Sequence, residues 1–174
     1  MPRSDRIEIR PARPADCRAM GRMGAALARA HHAWDPERFF IWEEIEKGYA
    51  WWLGRELKNR RAILLVAQRR GRVIGYAYGR LEPRDWNSLR DRCGVGIDLF
   101  VEPRHRGAGA GAMLAAALVE ALEAKGAPRV VIQAAAKNRE AQRFFRALGF
   151  RRTVIEMTRE RGRALSRRRP AKRT

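Results

Sequence analysis

The stretch from Ile97 to Leu114 does most to limit what this chain can fold into. Val95, Ile97, Leu99 and Val101 alternate with Asp98 and Phe100 facing the other way, the period of a half-buried strand. Pro103 ends the run, because proline has no N–H to give a sheet ladder. Arg106-Gly107-Ala108-Gly109-Ala110-Gly111-Ala112 follows, almost without side-chain bulk, and leads straight into the apolar helix sequence Met113 to Val119. A backbone free of β-carbon crowding can curl so that successive N–H groups share one concavity. The helix behind it adds its own unpaired amides and the positive end of its dipole. Strand, loop and helix together predict a phosphate site.

Spacing narrows the ligand. The dinucleotide pattern Gly-x-Gly-x-x-Gly lacks its last glycine here, and no Gly-Lys-Ser/Thr of a Walker loop is present. What remains is Arg-x-x-Gly-x-Gly at Arg106, Gly109 and Gly111, directly after Asp98-Leu99-Phe100-Val101-Glu102-Pro103. Further on stands Asn138-x-x-Ala141-x-x-Phe144-Phe145-x-x-x-Gly149-Phe150. In this order the two motifs resemble those of the Gcn5-related N-acetyltransferase (GNAT) family. The likeness spans most of the chain from residue 7 to about 159 and is specific from 94 to 150.

Composition sets the outer bounds. At 174 residues the chain is expected to be one domain, residues 1–160, followed by a basic and disordered tail, 161–174. No apolar run approaches the ~20 residues of a membrane span. The start, Met1-Pro2-Arg3-Ser4-Asp5, lacks a signal-peptide core, so a cytoplasmic location with no membrane partner is expected. Cys17 and Cys93 are far apart and without metal-ligand spacing, which predicts free thiols and no metal site. The net charge of +19, mostly arginine, attracts polyanions and would gather a phosphate-rich cofactor near the surface. A bias toward Arg and Ala also explains it, so nucleic acid is an alternative partner, not the expected one.

The remaining elements follow from period and punctuation. A short strand at 7–10 precedes a helix capped by Asp16 that reaches about His31. A second helix is expected over 34–57, opened by Asp35-Pro36-Glu37, with too many aromatic residues for one apolar face. Strands at 62–68 and 73–80 join through an Arg70-Gly71 turn, with Gly75 and Gly79 marking bulges or close approaches. A polar loop at 83–92 leads to the Gly-loop unit, whose helix ends at Gly126. A buried strand at 129–134, a short helix at 138–148 and a last strand at 150–159 complete the chain.

The resemblance implies an α/β (α+β) fold: a mixed, mostly antiparallel sheet of six to seven strands, flanked by about four helices and splayed between its fourth and fifth strands. It implies that the backbone of Leu99, Phe100 and Val101 pairs with the pantetheine amides, and that the amides of Arg106, Gly107, Ala108, Gly109, Ala110, Gly111 and Ala112 wrap the pyrophosphate. Asn138 would bind the cofactor arm, cap its helix, or both. Phe145 stands where many members carry a tyrosine that protonates the leaving thiolate. A phenyl ring can pack on pantetheine but gives no proton, so Tyr49, Tyr76, Tyr78 or water would have to substitute. Gln133 stands where some relatives carry a glutamate base.

An alkylammonium must lose a proton before it can attack a thioester, so a base or a water leading to one is needed. Asp98 is the first candidate and Glu82 the second; His31 or His32 has a useful intrinsic pKa, and Glu43 and Glu44 could select a cationic substrate. The expectation is acetyl transfer from acetyl-CoA to a primary amine of a small molecule or peptide, by direct attack and without a metal. An acyl-CoA-binding protein with little catalysis and a basic nucleic-acid module are the alternatives. A homodimer is possible from the aromatic excess.

Overall fold

In a computed structural model that describes residues 5–162, five strands form one open sheet in chain order. They are β1 (Glu8–Pro11), β2 (Ala62–Arg69), β3 (Arg72–Glu82), β4 (Cys93–Val101) and β5 (Val130–Ile132). The first four are antiparallel neighbours, and β5 runs parallel to β4. Four helices complete the fold: α1 (Cys17–Trp34), α2 (Ile45–Glu56), α3 (Ala110–Ala124) and α4 (Arg139–Ala147). Among the described residues no helix is long and apolar enough to cross a membrane. The basic tail, beyond its first two residues, lies outside the described residues.

Side chains alternate across the sheet into two cores. Leu65, Ala67 and Ala77 join Leu114, Leu118 and Leu122 of α3 on one face. Leu64, Val66, Tyr76, Tyr78 and Phe100 meet Met20 and Met23 of α1 and Leu53 of α2 on the other. The α3 face is bare where the helix crosses it. A β-carbon on Gly79 would lie 2.7 Å from the Val95 carbonyl oxygen and 3.1 Å from Leu118 Cδ1. The glycine is required there by close approach.

Three expectations need correction. The sheet has five strands, not six to seven, because residues 150–159 pair with no strand. Side chains hold that segment elsewhere: Arg152 Nη2 donates to Gln142 Oε1 of α4 at 2.7 Å, and Glu156 pairs with Arg38 in the loop after α1. The second helix starts only at Ile45, not at Asp35. Asp35 closes a single turn, its carboxylate accepting from the Arg38 amide and its carbonyl from Phe39. Aromatic packing then takes over, with Phe39 edge-on to His31 and Trp42 stacked on Tyr49. Finally, Asp16 does not cap α1 with its side chain. Its carboxylate turns back to Arg10, at 2.7 and 3.0 Å, and to the Arg13 amide at 2.7 Å.

The strand alternation in β4 also breaks once. Tyr78 pairs with Asp98 while Gly79 pairs with Gly96, so Ile97 is an extra, bulged residue. Ile97 therefore packs with the α1/α2 core and not with Leu99 on the α3 side. Replacing Gly79 by Ala tests the seating of α3: the β-carbon must displace the Val95 carbonyl or Leu118, and unfolding in denaturant should show a loss of about 1–3 kcal/mol.

Candidate active site

The Gly/Ala loop forms as expected at the start of α3. Gly107 and Gly109 hold φ of +79° and +86°, and a β-carbon on either would meet nothing within 4 Å. Backbone conformation, not crowding, requires glycine at both positions. Among the described residues the amides of Gly107 to Ala112 donate to no backbone carbonyl, and only with Met113, bonded to the Gly109 carbonyl at 3.0 Å, does the helix ladder begin. Arg106 braces this loop from its own side, its Nε donating to the Val101 carbonyl at 3.1 Å and its guanidinium lying 5.7 Å from the Phe100 ring centre. The open concavity and its unspent donors suit a diphosphate.

Beside the loop the sheet parts. β4 and β5 pair only from Gly94 and Val130 to Gly96 and Ile132. Beyond that point Leu99, Phe100 and Val101 are paired through β3 alone, to Ala77, Tyr76 and Gly75. Their other backbone edge is open to a ligand, at the end of β4 that leads into the loop.

Asp98 lies one residue past the bulge and points into the α1/α2 layer, 8% exposed. Tyr76 pairs across from Phe100, so its ring reaches Asp98 diagonally, and its hydroxyl donates to Asp98 Oδ2 at 2.8 Å. Burial pushes the Asp98 carboxyl up to about 6, against smaller opposing effects of the Tyr76 hydroxyl and the His31 charge. Tyr76, fully buried, is raised well above the usual phenol range, first by desolvation and then by Asp98. Tyr49 on α2 is also raised, by burial and by Asp98. His31 at the end of α1 contacts the Leu27 carbonyl through Nδ1 at 2.8 Å and is flanked edge-on by Trp34 and Phe39. A neutral His31 that donates there leaves Nε2 as its basic nitrogen. Its neighbour His32 turns instead to the Phe39 carbonyl, at 2.7 Å.

The other expected residues scatter. Glu82 pairs across from Cys93, at the far end of β3 from the parted strands, and is bound to Arg80. Four sheet positions, roughly 13 Å, separate it from Asp98, so the two carboxylates do not share a site. Tyr78 turns its hydroxyl to Glu56 at 2.6 Å. Glu43 and Glu44 are exposed, with Glu44 paired to Lys47, and Gln133 is exposed after β5. Asn138 caps α4, its Oδ1 accepting from the Ala141 amide at 3.0 Å, which leaves its NH2 group for other partners. Phe145 is buried between Phe144 and Phe150, at ring separations of 5.1 and 5.7 Å. Among the described residues no group of three His, Cys, Asp or Glu gathers to hold a metal.

Sequence reasoning missed the Tyr76 to Asp98 pair, whose members are 22 positions apart and show no shared period. The signal that finds it is the β3/β4 register, once Gly75 is set opposite Val101.

The description "Acetyltransferase (GNAT) family" belongs to a family model that matches residues 26–150. No curated protein sequence matches the chain. Several solved structures share its shape. An aminoglycoside N-acetyltransferase, AAC(6')-Iy, solved in complex with CoA, superposes with a TM-score of 0.72 at 20% identity, over 92% of this chain and 99% of that one. Another, AAC(6')-IG from Acinetobacter haemolyticus, gives 0.68 at 18% identity over 88% and 98%. A transcriptional regulator from Bacillus halodurans C-125 gives 0.70 at 19% identity over 89% and 99%. Likenesses at such identities show the fold, and the family match over well more than half of the chain adds descent: this protein belongs to the GNAT family of acetyltransferases.

Proposed function

We propose that the protein moves an acetyl group from acetyl-CoA to a primary amine of a small molecule or peptide, by direct attack within a ternary complex. The observation that carries this is the row of uncommitted amides from Gly107 to Ala112 beside the parting of β4 and β5. Bound there, acetyl-CoA supplies a thioester carbonyl open to an amine. The loop amides and the dipole of α3 hold its diphosphate, and the free edge of Leu99 to Val101 takes the pantetheine amides. The AAC(6')-Iy complex with CoA supports the choice of cofactor. A carboxyl near pKa 6 is ionised at neutral pH yet still basic enough to take a proton, and Asp98 fills that role directly or through water. The amine gives up its proton as its nitrogen bonds to carbon, and the C–S bond breaks with a proton returned to sulfur. Phe145 cannot return it, and burial makes the hydroxyls of Tyr49 and Tyr76 weaker acids, with Tyr76 already donating to Asp98, so water is the proton donor in this reading.

Phe145 also favours a second reading, a protein that binds acyl-CoA and turns over little. Thiol release from acetyl-CoA with a panel of amines separates the two, because a binder releases none above the rate without amine.

Gly109→Val places a β-branched residue at a φ it does not adopt and should weaken acetyl-CoA binding at least tenfold by calorimetry, with a two-state melt retained at a somewhat lower temperature. Unaltered affinity would remove the loop from the site.

Asp98 gives a paired test of activity and stability against pH. Its carboxyl titrates near 6 when folded and near 3.8 when unfolded, so between those values the folded chain keeps a proton that the unfolded chain loses. Stability therefore falls as pH rises through that window, and above it the buried charge costs folding. Asp98→Asn keeps an acceptor for the Tyr76 hydroxyl and should gain on the order of 1–3 kcal/mol at pH 7 to 8. In the same variant kcat/KM should drop by about 100-fold or more, and the limb that rises near pH 6 should vanish. A variant as active as the parent would show that Asp98 is not the base.

A further inference from the structure

The chain that follows α1 holds more aromatic surface than the core uses. Phe40, Trp42 and Tyr49 stack in series, with ring centres 5.6 and 6.4 Å apart. Two glycines seat the series on the helices: a β-carbon on Gly48 would lie 2.8 Å from Trp42 Cζ2, and one on Gly24 2.3 Å from Tyr49 Cδ1. At the inner end Tyr49 packs on the core that contains Phe100 and Tyr76, the residue bonded to Asp98. At the outer end Trp42 is 42% exposed and Phe40 79%. The rings therefore run from the neighbourhood of the buried acid to solvent.

The same wall borders the parted strands. Trp34 and Phe39 stand edge-on to His31 at the end of α1, and the run after β5 is tied there, since Lys137 Nζ donates to the Trp34 carbonyl. An amine that approaches Asp98 from the α1/α2 side passes these rings.

Charge then selects the kind of amine. A polycation needs several carboxylates at its disposal, and those around the rings are engaged within the chain: Glu44 with Lys47, Glu46 with Arg29, Glu156 with Arg38, and Asp35 with the Arg38 amide. The net charge of +19 also repels each further cation that an acceptor carries. A single ammonium suits the one buried acid, and an aromatic body suits the bare ring faces. Resting on the acetyl-transfer reading, we propose that the acceptor is an arylalkylamine, a primary amine with one positive charge whose aromatic group stacks on Trp42 and Phe40 while its nitrogen turns toward Asp98. The N–C bond forms as the C–S bond breaks. Of the two protons the ammonium gives up, one passes through Asp98 and water to the thiolate and the other to solvent. Trp42 and Phe40 take no part in that step and decide which amine is held for it.

The test is thiol release from acetyl-CoA with 2-phenylethylamine, propylamine, spermidine and kanamycin, beside calorimetry of 2-phenylethylamine with CoA present, which reads the amine site without turnover. kcat/KM for 2-phenylethylamine should exceed that for each of the others by about tenfold or more. Trp42→Ala should cut the preference for 2-phenylethylamine over propylamine by about tenfold, through KM more than kcat, and Trp42→Phe should restore most of it. Phe40→Ala, which removes an exposed ring, should lower the same ratio by about threefold. A kcat/KM for any of the other three amines that matches that for 2-phenylethylamine overturns the proposal, and so does a preference that both alanine variants leave intact. If no amine releases thiol yet 2-phenylethylamine binds and Trp42→Ala weakens its binding, acetyl transfer falls and the aromatic site stands. If it neither reacts nor binds, both fall.

Discussion

The seating of α3 on three glycines of the sheet sets the position of everything that follows from it. β-Carbons on Gly75, Gly79 and Gly94 would lie 3.3, 3.1 and 3.0 Å from carbons of Leu114, Leu118 and Leu122. Three leucines one helical turn apart thus rest on three glycines, and the helix lies closer to β3 and β4 than a sheet of larger residues would allow. The first turn of α3 is consequently held at the end of β4, and the loop amides open beside the place where β5 leaves β4. The row of loop amides and the open strand edge lie side by side because the helix is anchored this way. The glycines of the sheet matter to the site as much as those of the loop.

Two buried acids show how differently one environment can treat a carboxyl. Asp16, 7% exposed, holds Arg10 through two hydrogen bonds and takes a third from the Arg13 amide, and its pKa is lowered, first of all by Arg10. Asp98 is as deeply buried, yet no arginine of this arginine-rich chain bonds to it among the described residues, and its pKa is raised. A tyrosine hydroxyl offers one neutral hydrogen bond and does not repay the lost solvation of a carboxylate. In a chain with so many cations, an acid left without one has been given a neighbourhood of rings instead: Tyr76 bonds to it, Tyr49 and His31 lie within its electrostatic reach, and Phe100 is packed in the same core. That environment, next to the open backbone edge, is what raises the carboxyl in the fold.

Much of this was legible in the sequence where one residue type decides the local backbone. Gly107, Gly109, Gly126 and Gly149 sit at positive φ where the loop and the helix ends require it, and the Arg70-Gly71 turn has both residues at positive φ. What was not legible depends on pairing between distant segments. The bulge at Ile97 exists only relative to β3, so the alternation of β4 reads as unbroken until the partner is in place. The segment 150–159 has the residues of a strand, but among the described residues it pairs with none, and Arg152 and Glu156 bond instead to α4 and to the loop after α1. Asp35-Pro36 has the order of a helix start, yet the rings that follow find better packing off the helix, on His31 and Tyr49. Glu82 was placed near the site by its position at a strand end, and register puts it at the wrong end.

The two sequence motifs, far apart in the chain, approach each other at Gly111 and Phe144. A β-carbon on Gly111, in the first turn of α3, would sit 3.7 Å from Phe144 Cζ of α4, so the loop helix and the short helix touch through a glycine and a ring. Phe144 packs edge-on against Phe145, and Phe145 against Phe150, which carries that contact through to the chain after α4. Gly149 returns the chain at φ +89°, and the Phe150 amide bonds back to the Phe145 carbonyl at 3.0 Å. Phe145 is thus held in place by its aromatic neighbours without any need of a hydroxyl. The ring alone fills this joint through edge-on contacts on both sides, so a phenylalanine there keeps the motifs joined.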